Sequence, residues 1–304
     1  MIIKIGDDII LGGESKFQIE APLSGLTAPD IRTGDGLYTG MDGGYVSSQF
    51  YGFRNIIISG FYIGKTCEEA DNLRHELMTK CHIRYLYPVY ITTFSGKRYF
   101  LEGYITDVKS DIEHWKSGKF QISLHCPDPI IYAGGDGINA QSIWYKQPFY
   151  KDSAGGFLFN RTSPKDGYQV TTTKGVQWVD GKVITVIDNF GSVDSYPIFK
   201  LEGIFTSTPS SVPPKYITIT NITTGEFISI AKTTTSGDLI TIDTKNRVIT
   251  LNHGGVVSSI APYRTIDSSW VRLVPGENKI VLSSADVGDT DMGTIEYKVG
   301  YEGI

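Results

Sequence analysis

Apolar residues along this chain recur mostly with a period of two, and with a clear helical period in one place. Ile2, Ile3 and Ile5 and then Ile9, Ile10 and Leu11 flank Gly6-Asp7-Asp8, which predicts two short strands around a turn. Arg54 to Gly64 is a β-branched, apolar run with no charge after Arg54, the pattern of a buried strand. Thr66 then opens a helix. Thr66 with Glu69 makes a capping box, Glu68, Glu69 and Asp71 favour the positive end, and Lys80 and His82 lie near the other. Ala70, Leu73, Leu77 and Cys81 form one stripe that must face a sheet. Ile83 to Thr93, Lys97 to Val108 and Lys119 to Cys126 follow as strands, with Asp111 to Ser117 read as a loop whose Trp115 covers a sheet edge.

Two stretches break this pattern. From Ala21 to Gly44 the chain carries Pro22, Gly25, Pro29, Gly34, Gly36, Gly40, Gly43 and Gly44 without a sustained period. Loops of that length inside a compact domain are uncommon and usually functional, so this one is expected to be ordered mainly by contact with a neighbouring subunit. The second break is Cys126-Pro127-Asp128-Pro129, where two prolines lacking N–H groups end the last strand and Gly134-Gly135-Asp136-Gly137 frees the chain to turn. The boundary of a first domain, 1–135, is placed there.

Beyond it the helical period disappears. Strands are predicted at Tyr168–Thr173, Gly175–Trp178, Lys182–Val186, Ile198–Glu202, Tyr216–Asn221, Glu226–Ile230, Leu239–Asp243, Val248–Leu251, Trp270–Leu273, Asn278–Leu282 and Thr294–Tyr301. Turn signals every 8 to 12 residues or so argue a β-sandwich for 136–304. The fold class expected is therefore mainly β: an antiparallel β domain with one packed helix, then a sandwich.

Composition narrows the function. Gly (34) and Tyr (18) are plentiful and Met (4) is scarce, which suits strands and turns. The net charge of −5 is evenly spread, with 13 Lys/Arg against 16 Asp/Glu in 1–135 and 15 against 17 beyond, and no basic block exists to neutralise a phosphate backbone. Cys67, Cys81 and Cys126 form no CxxC pair and are read as reduced, structural thiols. The N-terminus lacks the features of a secretory signal, and no apolar run reaches membrane-spanning length, so no membrane insertion is expected.

Candidate chemistry is sparse. His75, His82, His114, His125 and His253 never fall at metal-ligand spacings, and no pair of the many aspartates is singled out as a catalytic couple. No catalytic, cofactor or metal site is nominated, and an enzyme is not expected. Gly34 to Gly40 has GxGxxxG rather than dinucleotide-binding spacing, and Asp286 to Gly293 lacks the Gly and Glu of a calcium loop in register. Aromatics gather around Trp144, Tyr145 and Trp178, which could stack on sugar rings or anchor a partner, although a sandwich core needs the same residues.

Several motifs in a shared order resemble the distal tail proteins of phages, the ring subunits at the tip of long tails. In the first half they are Gly43-Gly44-Tyr45-Val46 leading to Arg54-Asn55-Ile56-Ile57-Ile58-Ser59-Gly60, the helix with Ala70, Leu73-Arg74 and Leu77, the strand Arg98 to Ile105, and the proline exit. In the second half Asn189-Phe190-Gly191 with Pro197 to Gly203, Ile219 to Gly225, Gly237 to Thr244, and Trp270 to Asn278 are similar to the family's sandwich motifs. Residues 138–190 depart from the pattern and are read as an insertion.

The resemblance implies a galectin-like or jelly-roll sandwich for the second domain. It also implies a homohexameric ring joining the tail tube protein to the tail-associated hub protein and anchoring receptor-binding or baseplate proteins. The location implied is the virion tail tip, assembled in the host bacterial cytoplasm, with DNA only in passive transit. The alternative is a carbohydrate-binding β-sandwich protein that attaches to a bacterial surface.

Overall fold

The computed structural model of the chain describes residues 1–21, 23–134, 144–150, 176–179, 182–210, 214–284 and 292–304, of which 144–150, 176–179, 182, 183 and 292 are described by their backbone. The predicted strand Tyr168–Thr173 and the acidic stretch 286–291 lie outside the described residues. The chain divides into two compact units, Met1–Ile143 with Gly300–Ile304, and Trp144–Val299.

The first unit begins with β1 (Ile2–Ile5), β2 (Ile9–Gly12) and β3 (Phe17–Ile19). Four short strands follow: β4 (Ile31–Arg32), β5 (Asp35–Leu37), β6 (Gly44–Val46) and β7 (Phe50–Tyr51). Then come β8 (Arg54–Ile63), α1 (Cys67–Lys80), β9 (Leu86–Thr92), β10 (Arg98–His114), β11 (Ser117–Cys126) and β12 (Ile131–Ala133). The main sheet runs β2-β1-β9-β10-β11-β8-β3, and β12 lies against both β10 and the strand Gly300–Tyr301. Every pairing is antiparallel. The residues that alternate inward, among them Ile3, Ile5, Ile56, Ile58, Ile105 and Ile122, form one buried cluster with Ala70, Leu73 and Leu77 of the helix. The cap is as expected in kind: Thr66 Oγ1 accepts from Glu69 N at 3.1 Å, while the Glu69 carboxylate reaches back to Lys65 N at 2.8 Å.

Three expectations for this unit change. β8 alternates between buried and exposed: Ile57, Phe61 and Ile63 stand outward, so an uninterrupted apolar run here marks a sheet with one open apolar face. β10 and β11 extend so far that only Trp115-Lys116 turns the chain, and Trp115 covers no edge; it is exposed, with Lys116 Nζ 4.2 Å from its ring centroid. The glycine-rich stretch after Ala21 contains a hairpin, described below.

The second unit has two antiparallel sheets. One contains β13 (Trp144–Tyr150), β16 (Ile198–Glu202), β19 (Leu239–Asp243), β20 (Val248–His253), β21 (Val256–Ser259) and β23 (Met292–Lys298), in the order β13-β23-β16-β19-β20-β21. The other contains β14 (Val176–Val179), β15 (Lys182–Asn189), β17 (Ile217–Asn221), β18 (Glu226–Ile230) and β22 (Gly276–Ser283), ordered β14-β15-β22-β17-β18. Each sheet buries one apolar face: Phe199, Leu201, Ile240 and Ile242 on the first, Ile217, Ile219, Ile280 and Leu282 on the second. The mainly β class with a single helix in the first domain holds.

Trp270–Leu273, predicted as a strand, is not one. Arg272 N donates to Glu226 Oε2, and just beyond the segment Val274 N donates to Asn278 Oδ1, so the only ladder contact among the described residues is one bridge, Ser195 to Leu273. The alternation in the sequence is real, and the ladder is replaced by side-chain acceptors. Among the described residues no helix is long and apolar enough to cross a membrane.

Candidate assembly surface

A projecting hairpin, residues 30–52, is the feature of the first unit that its own core does not explain. Ile31 and Arg32 pair with Tyr51 and Phe50, and Asp35 to Leu37 pair with Val46 to Gly44, so two short ladders stack into one arm. Gly52 N donates to Asp30 O at 2.6 Å at the root, and Ser47 N to Gly34 O at 2.9 Å between the ladders. Tyr38 and Tyr45 approach across the arm with ring centroids 5.9 Å apart. No residue of 31–51 is buried. Leu37 is 86% exposed, Met41 70%, Val46 64% and Phe50 61%.

Those numbers decide what the arm can be. A two-stranded hairpin with no core is marginal in water, and scattered apolar side chains need no explanation whereas a contiguous set does. Its formal charges are Asp30, Arg32, Asp35 and Asp42, one cation against three anions, which disfavours a phosphate backbone. Gly34, Gly36 and Gly40 belong to the arm, and no helix follows them to complete a phosphate cradle. The exposed face of β8, with Ile57, Phe61 and Ile63, belongs to the same unit.

The arm is rooted in a buried cation. Arg54 is 1% exposed, and its guanidinium donates to main-chain carbonyls: Nε to Pro129 O at 2.6 Å, Nη1 to Gly25 O at 2.6 Å and Thr27 O at 2.5 Å, and Nη2 to Glu302 O. Burial lowers its pKa from the ordinary value, and an arginine starts so high that it stays charged. The loop leading into the arm is seated by Gly25, whose φ is +86° and whose missing Cβ would lie 1.9 Å from Asn55 O. Leaving the arm, Phe53 packs on His125 at 4.7 Å, and His125 Nδ1 bonds Asn55 Oδ1 at 2.8 Å. In the sequence Arg54 marks the start of a strand and of a family motif, and neither reveals its partners, which are carbonyls from three distant segments.

In the second unit the motif residues serve as scaffold. Asn189, Asn221 and Asn278 are all buried. Asn189 Nδ2 donates to Val193 O and Leu273 O, Asn221 Nδ2 to Arg272 O and to Asn278 Oδ1, and Asn278 Nδ2 to Val274 O and Gly276 O. The three amides thus tie turns to strands. Arg272 spans Asp194 at 2.7 Å and Glu226 at 2.9 Å.

Residues 191–301 match the family model described as siphovirus-type tail component, C-terminal domain. This chain carries a siphovirus-type tail component domain. Of the motifs that suggested the distal tail family, Ile219 to Gly225, Gly237 to Thr244 and Trp270 to Asn278 fall within that match, and the resemblance is borne out. The fold of the whole chain is similar to the crystal structure of SPP1 Dit, described as a paradigm of hub adsorption apparatus in phages infecting Gram-positive hosts, with 14% identity, 99% of both chains covered and a TM-score of 0.63. Two structures of the phage P2 baseplate in its activated conformation are also similar at 11% identity. The one with Sr covers 97% of both chains at a TM-score of 0.42, and the one with Ca covers 93% of this chain and 91% of the other at 0.36. No curated protein matches.

The aromatic surface nominated from sequence is not assembled by these observations. Trp144 and Tyr145 fall on β13 and Trp178 on β14, and their side chains lie outside the described residues. Among the described residues no group of three or more His, Cys, Asp or Glu side chains gathers as for a metal. His253 Nδ1 hydrogen-bonds Asp238 Oδ1 at 2.6 Å, while Asp238 Oδ2 accepts from the amide and hydroxyl of Thr235, which makes the carboxylate a turn brace.

Proposed function

We propose that this tail component domain belongs to a structural hub of a phage tail tip or baseplate, and that copies of the chain close into a homohexameric ring through the 30–52 arm. The observation that carries the reading is the arm itself: a hairpin that exposes Leu37, Met41, Val46 and Phe50 and buries none of its residues, on a unit whose main sheet buries an apolar cluster against the helix. Seated against a neighbouring copy, such an arm would bury its apolar surface at about 25 cal/mol per Å² and protect its strand edges. The repeated, heterologous contact of one arm with the next subunit closes into a ring when the rotation allows, and six is the number the resemblance implies. The outward face of β8 is the natural receiving surface.

The ring would join the tail tube protein to the tail-associated hub protein, with the second unit carrying receptor-binding or baseplate proteins. The likeness of fold to SPP1 Dit supports this placement in the virion, and the absence of a basic block supports passive transit of DNA. The protein acts by assembly, without catalysis, and is put together in the host cytoplasm.

The test is the mass in solution by light scattering across a concentration series. Wild type should approach about six times 33.5 kDa, and the triple substitution L37S/V46S/F50S should remain a folded monomer. A wild-type chain that stays monomeric at the highest concentration, or a triple variant that assembles equally well, overturns the role of the arm.

A further inference from the structure

The first unit is discontinuous: Gly300–Ile304 folds with Met1–Ile143, after the whole of the second unit. Within this short segment several interactions point to one place. Gly300 and Tyr301 pair with Tyr132 and Ile131 of β12, and the Tyr301 ring meets that of Tyr99 edge-on at 5.7 Å. Ile304 N donates to Leu26 O at 2.9 Å. Glu302 is engaged twice. Its carbonyl accepts from Arg54 Nη2, and its carboxylate accepts from the hydroxyl of Tyr51, on the last strand of the arm.

Both connections of the arm are therefore held by the same five residues. The incoming loop is held at Leu26 by Ile304, and at Gly25 and Thr27 by the guanidinium that Glu302 also occupies. The outgoing strand is held at Tyr51 by the Glu302 carboxylate and at Arg54 by its carbonyl. Nothing in 31–51 is buried, so the arm's direction is set at its root.

We propose that Gly300–Ile304 is a clasp that fixes the direction of the arm, so that a chain becomes competent to associate only after this segment has been made and seated. The consequence for association rests on the reading of the arm as the inter-subunit joint. During synthesis the arm emerges about 250 residues before its clasp, and an unclasped arm carries the orientational freedom that association must remove. Seating Glu302 pre-organises the arm, and the same step withholds its apolar side chains from productive docking until the unit is whole.

The experiment compares the full chain with Glu302→Ala, Tyr51→Phe and a chain ending at Val299, each placed in the L37S/V46S/F50S background that keeps it monomeric. Hydrogen exchange is followed in peptides covering 24–57, with α1 as an internal reference. Exchange in the arm's root should rise at least about tenfold in Glu302→Ala and Tyr51→Phe, the size expected for losing a hydrogen bond to a charged group, while α1 is unchanged. In the apolar, wild-type arm background the same variants should need about tenfold more protein to associate. Root exchange identical to the parent overturns the clasp, and so does loosening of α1 to the same extent in the point variants, which would make the segment part of the general fold. If the root loosens while the wild-type arm never associates at any concentration, the clasp stands and the ring reading fails.

Discussion

Asn221 and Asn278, 57 positions apart, are both fully buried and hydrogen-bond to each other, Nδ2 to Oδ1, at 3.1 Å. Each amide also satisfies main-chain groups: Asn221 Oδ1 accepts from Thr223 N, while Asn278 accepts from Val274 N and donates to Val274 O and Gly276 O. Removing one side chain strands several buried polar atoms together. Asn278→Ala should cost about 2–4 kcal/mol of the second unit's stability, and the double variant with Asn221→Ala should cost less than the sum of the singles. A double-mutant cycle in urea unfolding measures the coupling directly.

Arg54 should be the least replaceable polar residue of the first unit. Arg54→Ala leaves the carbonyls of Gly25, Thr27, Pro129 and Glu302 without their donor, which should cost about 3 kcal/mol or more. Arg54→Lys keeps the charge and loses the planar fork, so it should recover only part of that loss. Hydrogen exchange at α1 reads the effect separately from the second unit.

Two glycines with similar positive φ should respond differently. Gly25 (φ +86°) has no room for a Cβ, whereas Gly40 (φ +79°), at the arm's tip, has nothing within 4 Å. Gly40→Ala pays only the left-handed backbone cost of about 1–2 kcal/mol, confined to the arm, while Gly25→Ala should disrupt the arm's root and lower the melting temperature of the first unit. Equal melting shifts for the two would contradict the seating of Gly25 on Asn55.

The three thiols should separate by accessibility. Cys67 is exposed at the start of α1, while burial pushes the Cys81 thiol up to about 11 and the Cys126 thiol up to about 12. A thiol reagent at pH 8 should label Cys67 in the native protein and all three after unfolding. Fast labelling of Cys126 in the native state would mean that the packing beneath the proline exit is looser than described.

Asp238 links the second unit's stability to pH. Its carboxyl is held below the ordinary value of 3.8, first by the amide of Thr235 and then by His253. A folded pKa below the unfolded one stabilises at pH above the unfolded value, and that contribution is lost as pH falls through the folded value. Asp238→Asn should therefore be less stable than wild type at neutral pH, with the gap closing below about pH 4. A gap that persists at pH 2 would assign the effect to packing.

The helix was the most legible element, because Thr66, Glu69 and the stripe from Ala70 to Cys81 encode cap, direction and buried face locally. The strands at Ile198–Glu202 and Leu239–Asp243 are equally plain, each alternating in burial and bounded by turns. Local pattern failed where partners are distant or are side chains. Trp270–Leu273 alternates like a strand, yet the Glu226 carboxylate takes the amide of Arg272 and Asn278 takes that of Val274 just beyond it. β21 falls outside the strands expected from sequence, although Gly254 and Gly255, both at positive φ, supply the two-residue turn that creates it. The arm reads as a loop in sequence because its ladders are only two and three residues long, too short for a period to register. Neither the carbonyl partners of Arg54 nor the return of Gly300–Ile304 leaves any local trace.

That return also bears on how such chains can vary. Tyr132 lies opposite Gly300 where the chain leaves the first unit and comes back, and Trp144 lies opposite Lys298 where it enters and leaves the second. Paired antiparallel strands stand roughly 5 Å apart, so the two ends of each unit are already neighbours. The second unit is thereby a cassette: its contents can be lengthened, exchanged or lost in evolution, or in the laboratory, with the flanking strands rejoined across a gap that a short turn spans.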